Sequence, residues 1–67
     1  MKFKTVYHFS VMDEIEEGKT VYCLDRKNRL VLTINYMPLE DVLRVIRDAK
    51  DDDERFEFWK EIKENDG

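Results

Sequence analysis

The chain has 67 residues, 42% of them charged, and a formal net charge of −4. That length makes one small domain, near the lower limit at which a single apolar core suffices, and it excludes a deep active site enclosed by a core of its own. The single cysteine excludes an intramolecular disulfide, no apolar run approaches the roughly 18 residues of a membrane span, and the net acidity disfavours direct contact with nucleic acid.

Taken in order, residues 3–9 alternate Phe3, Thr5, Tyr7, Phe9 against Lys4, Val6, His8, the period of a β-strand. Ser10 then offers a helix N-cap, with Asp13 three residues on, Val11 and Ile15 on one side, and Gly18 where a helix-terminating glycine belongs. A helix of about two turns fits; alone it is marginal, so packing must hold it.

Residues 20–37 read as a β-hairpin. Two runs rich in β-branched and aromatic residues flank Arg26-Lys27-Asn28, a three-residue loop closed by Asp25 and Arg29, with Asn28 expected at positive φ. That register opposes Leu24 to Leu30, Tyr22 to Leu32 and Thr20 to Ile34, an apolar set expected to face the helices. The other face then carries Val21, Thr33, Cys23 and Val31.

Pro38 suits a first helical position, with Glu40 and Asp41 following at the positive end of the dipole. Leu39, Val42, Leu43, Ile46 and Ala49 form an apolar stripe, and Glu40/Arg44 and Arg44/Asp48 are spaced to pair. The helix is expected to end near Lys50. Asp51-Asp52-Asp53-Glu54 is a repulsive break. The segment after it, RFEFWKEIKE, fits a strand with Phe56, Phe58 and Ile62 on one face and Lys60 as the exception. It also fits a helix aligning Phe56, Trp59 and Ile62 with Asp53 as cap. The dense aromatics favour the strand.

The expectation is therefore one α+β domain over residues 1–67. It holds a small single sheet in the order β-α-β-β-α-β, ferredoxin-like or a reduced version of it, with both helices on one face. Val6, His8, Val21, Cys23, Val31, Thr33 and Trp59 are expected on the uncovered face, an apolar patch suited to a partner or to self-association.

Nothing points to catalysis. His8 has no Ser or Asp at a triad spacing, Ser10 is better read as a cap, glycine-rich phosphate loops are absent, and the carboxylates sit in charge-rich segments where nothing would raise a pKa. No cofactor is expected. His8 and Cys23 are a candidate start of a zinc site, completed by Asp25, Asp13 or Glu17; the competing reading is a buried thiol and a surface histidine. Arg26, Lys27 and Arg29 read as solvated turn charges rather than phosphate contacts.

Charge is unevenly distributed. Residues 1–18 hold two basic and four acidic groups, residues 19–47 six and three, and residues 48–66 four and nine. Acidity flanks a basic hairpin, and the C-terminal segment supplies the candidate partner-contact residues Asp51, Asp52, Asp53, Glu54, Glu57, Trp59 and Glu61. A host protein with a basic, nucleic-acid-binding surface is the expected partner, with electrostatics speeding the encounter. The alternative is a structural or homodimeric accessory module that uses the apolar sheet face. Neither a leader nor a membrane anchor is expected, and a cytoplasmic setting follows from cysteine usage.

The run Asp13-Glu14-Ile15-Glu16-Glu17-Gly18-Lys19-Thr20-Val21-Tyr22, then Leu24-Asp25-Arg26-Lys27 and Tyr36-Met37-Pro38-Leu39, resembles short acidic proteins of Gram-positive phages and prophages. In those a hairpin of this kind precedes an amphipathic helix and an acidic aromatic tail, and the similarity covers about two thirds of the chain. The motif carries no catalytic residue. The resemblance implies a non-enzymatic phage protein that binds and inhibits a host protein in the host cytoplasm. One such class is the anti-CRISPR inhibitors of Cas9-type nucleases.

Overall fold

A computed structural model describes residues 2–62. The chain runs β1 (Lys2–Val6), a 3-10 turn (His8–Ser10), α1 (Val11–Glu16), β2 (Val21–Asp25) and β3 (Leu30–Thr33). A second 3-10 turn (Ile34–Tyr36), α2 (Leu39–Asp51) and β4 (Phe56–Ile62) follow. The four strands make one sheet in the order β1-β4-β2-β3, every neighbour antiparallel. This is the expected α+β class with the expected element sequence. The strand order departs from the ferredoxin-like plan, because here the last strand is central and the first lies at an edge.

Local chemistry explains most boundaries. The first strand stops at Val6, short of the expected Phe9, because Tyr7 accepts a 2.9 Å bond from the Ser10 N–H and residues 8–10 wind into a 3-10 turn. Ser10 precedes α1 but makes no side-chain cap bond. Gly18 ends that helix as expected, with φ +86°. Its N–H bonds to Ile15 O at 2.9 Å and the Lys19 N–H to Glu14 O at 3.0 Å, the paired bonds of a Schellman ending. Pro38 precedes α2 with an extended ψ of 146°, and its carbonyl accepts from Asp41 and Val42. The expected Glu40/Arg44 pairing gives way to an Arg44–Asp41 contact of 3.6 Å.

The hairpin differs from expectation by one residue of register. Asp25 pairs with Leu30, Leu24 with Val31, Cys23 with Leu32 and Tyr22 with Thr33. The loop therefore has four residues, Arg26 to Arg29, and Arg29 (φ 56°) rather than Asn28 takes the positive φ. The cause is Asp25. Its carboxylate is buried and accepts bonds from the Arg55 guanidinium (3.0 and 3.1 Å), the Lys27 N–H (3.1 Å) and the Asn28 side-chain amide (2.9 Å). A carboxylate so fully bonded belongs inside the strand pair, not at a solvated loop closure.

A one-residue slip exchanges the faces of a strand. Val21 and Cys23 are core, while Tyr22 and Leu24 point away from the helices, the reverse of expectation. The core gathers Val6, Val21, Cys23, Phe56 and Phe58 from the sheet with Val11, Ile34, Val42 and Ala49, so both helices pack on that one face. The expected α2 stripe is shifted too. Val42 and Ala49 are buried and Ile46 and Val45 partly so, whereas Leu39 and Leu43 face outward. Residues 56–62 form the strand, and Lys60, the polar exception on its inner face, donates to Glu14 at 3.0 Å.

Candidate functional site

Pairing across the sheet defines its second face row by row. Thr5, Trp59, Tyr22 and Thr33 lie abreast; Glu57, Leu24 and Val31 form the next row on one side, and Phe3 and Glu61 the next on the other. Among the described residues no helix covers this face. Of the seven residues expected there, Val31, Thr33 and Trp59 are present, whereas Val6, Val21 and Cys23 belong to the core and His8 to the first 3-10 turn.

At its centre Phe3, Tyr22, Val31 and Trp59 line a shallow apolar hollow of about 300 Å³. The Phe3 and Tyr22 rings meet edge to face at 5.7 Å, the arrangement aromatic quadrupoles favour. Phe3 remains 52% and Val31 56% exposed. The Trp59 indole N–H donates to Glu57 Oε2 at 2.6 Å, and Glu57 also receives the Arg26 guanidinium. The Tyr22 hydroxyl donates to Glu61 Oε1 at 3.3 Å. Burial, and then the Glu61 charge, raise the Tyr22 pKa above the usual phenol value. Two carboxylates thus flank Trp59 along β4, and each anchors an aromatic polar end. The result is a fixed amphipathic surface, apolar at its centre, with Glu61 on one side and the Glu57–Arg26 pair on the other.

Asp51, Asp52, Asp53 and Glu54 are all exposed at the α2–β4 corner. The fold ties this corner to the basic hairpin tip: Arg26 donates through its backbone to Arg55 O and through its side chain to Glu54 O, both at 2.9 Å. The acidic run therefore shares its end of the molecule with Arg26, Lys27 and Arg29, whose charges offset its field. Two of the expected contact residues, Glu57 and Glu61, join Trp59 on the open face, and the other four do not.

Cys23 is fully buried, and burial, followed by the nearby Asp25 charge, pushes its thiol up to about 12. His8 stacks edge-on against Phe9 at 5.3 Å. No group of three or more His, Cys, Asp or Glu arranged for a metal occurs among the described residues. A larger groove is lined by three lysines, Lys4, Lys19 and Lys60, against two carboxylates, Glu17 and Glu61, and Glu14 pairs with Lys19 and Lys60. The Lys60 hydrogen bond, which outweighs burial, holds Glu14 below its usual value. Among the described residues no helix is long and apolar enough to cross a membrane.

Phe3, Tyr22 and Val31 complete the hollow around Trp59. Sequence reasoning placed Phe3 and Tyr22 on the helix side. The alternation Glu57-Trp59-Glu61 against Phe56-Phe58 on β4 held the signal, because the face with two carboxylates is the solvated one. No protein-family model matches the chain, and no curated protein or solved structure is similar to it.

Proposed function

We propose that the chain is a non-enzymatic protein-binding module whose contact surface is the uncovered face of the sheet, centred on Trp59. The observation that carries this reading is the apolar hollow of Phe3, Tyr22, Val31 and Trp59, in which hydrogen bonds to Glu57 and Glu61 orient Trp59 and Tyr22. Aromatic anchors pre-set in this way lose little conformational entropy on binding and are the residue types that dominate interface energies. Glu61, beside the hollow, favours a partner that presents an apolar side chain next to a Lys or Arg, while Glu57 is already paired with Arg26. A nucleic-acid-handling host protein has such a surface. Occupying it would inhibit that protein, the role that the resemblance to phage and prophage proteins, anti-CRISPR inhibitors among them, also supports.

The test is direct. The host protein recovered by this chain from a Gram-positive lysate is purified and its affinity measured for the parent chain, Trp59→Ser and Phe3→Ser. Loss of a hot-spot aromatic costs about 2 kcal/mol or more, so each change weakens binding by about 30-fold or more while the melting curve confirms the fold. A second variant set neutralises Asp51, Asp52, Asp53 and Glu54 to Asn or Gln. Full affinity in both Ser variants, with loss in the neutralised one, would move the contact to the acidic corner.

A further inference from the structure

We infer that β3 is a docking edge for a second copy of this chain, the two β3 strands pairing antiparallel about a two-fold axis so that both sheets become one. The inference rests on the sheet edges and is independent of what the open face binds. The two edges are built differently. β1 carries Lys2 and Lys4 within five residues, charges of the kind that guard an edge against pairing. β3, Leu30-Val31-Leu32-Thr33, has no charge and no proline, and its register with β2 is unbroken by a bulge. Its inner side is bonded to β2. Among the described residues no further hydrogen bond, from backbone or side chain, reaches residues 30–33, and Leu30 and Val31 are exposed.

A second copy fits this edge better than it fits β1. Antiparallel self-pairing of β3 opposes only Leu, Val and Thr side chains and sends the Arg29 of each copy to opposite ends, so like charges do not meet. Self-pairing of β1 about its middle residue would set the Lys4 side chains of the two copies against each other. A head-to-tail union of β3 with β1 would propagate without closing, and the β1 lysines oppose it, so the closed pair is the favoured product. A two-fold axis normal to the sheet keeps both open faces on one side. Val31 lies at the margin of the hollow, so the joined sheet presents two hollows on one continuous surface.

Sedimentation over a range of concentrations and amide hydrogen exchange of the same samples test this. The mass should rise from one chain to two, and outward-facing amides within residues 30–33 should exchange at least about tenfold more slowly in the concentrated sample than in the dilute one. The change Leu30→Lys, at an exposed β3 position outside the hollow, should keep the melting curve and hold the chain at the mass of one copy. A single-chain mass at the highest soluble concentration would overturn the inference. So would a dimer whose β3 amides exchange equally fast at both concentrations, because its contact would lie elsewhere, on the open face.

Discussion

Replacing Arg55 by Met would separate the contribution of the Asp25 pair from that of packing. Arg55 reaches Asp25 at 3.0 and 3.1 Å, and its guanidinium lies 4.5 Å from the Phe56 ring centroid. The variant keeps an apolar stem over Phe56 and removes the charge. Breaking a fully buried pair from one side costs about 3–5 kcal/mol. Here the Arg55 side chain is 26% exposed, and the Lys27 N–H and Asn28 amide remain bonded to the carboxylate, which lowers the expected loss to about 2 kcal/mol. The acid limb gives the second readout. Arg55, outweighing desolvation, holds Asp25 down to about 2, below the usual carboxyl value near 4. A depressed carboxyl stabilises the fold above the unfolded value, and that stability is lost as pH falls toward the folded one. The parent chain should therefore lose about 2 kcal/mol between pH ~4 and pH ~2 from this group. In the variant the carboxyl titrates higher and the loss begins at higher pH. Urea unfolding at neutral pH and along the acid limb measures both. A neutral-pH change below about 0.5 kcal/mol, or an acid limb that does not move, would refute the assignment of Asp25 as the residue that fixes the hairpin register.

Two further predictions separate the observed core from the expected one. Ile34→Ala, at a residue 1% exposed, should cost about 2–4 kcal/mol, whereas Leu43→Ala, at 50% exposure, should cost less than about 1 kcal/mol. Equal losses would mean that α2 is rotated about its axis. Cys23 should resist a neutral thiol reagent in the folded chain and react at the rate of unfolding. Labelling as fast as that of a free thiol would contradict its buried position on β2.

The elements were legible because each rests on local chemistry: strand alternation, the Gly18 ending, the amphipathic run after Pro38, and the aromatic density of residues 56–62. The faces were not. Asp25 read as a loop residue because nothing in its neighbourhood reveals Arg55, thirty positions away, as its partner. Treating it as solvated shortened the loop by one residue, and the period of two then carried the error through Tyr22 and Leu24. Leu39 and Leu43 satisfied a helical stripe as well as Val45 did, and only the tertiary packing chose between them. Trp59 was placed on the open face correctly because its strand was assigned from its own residues. Its companion Tyr22 depended on the slipped register. Phe3 was misplaced because Phe3, Thr5, Tyr7 and Phe9 are the more apolar set of the first strand, although Val6 is the residue it buries. The acidic run, the most conspicuous charge feature of the sequence, lost its isolation once folding set it beside Arg26.

The central claim is that the uncovered face around Trp59 meets the partner, and an amide and side-chain NMR footprint tests it most directly. The purified host partner is titrated into isotope-labelled chain. The account predicts that signals of Phe3, Tyr22, Val31 and Trp59 shift or broaden, with the amides of Glu57 and Glu61 following, while those of Asp51, Asp52, Asp53 and Glu54 stay in place. A footprint confined to the Asp51–Glu54 corner and the Arg26 loop, with the Trp59 indole signal unmoved, would contradict it.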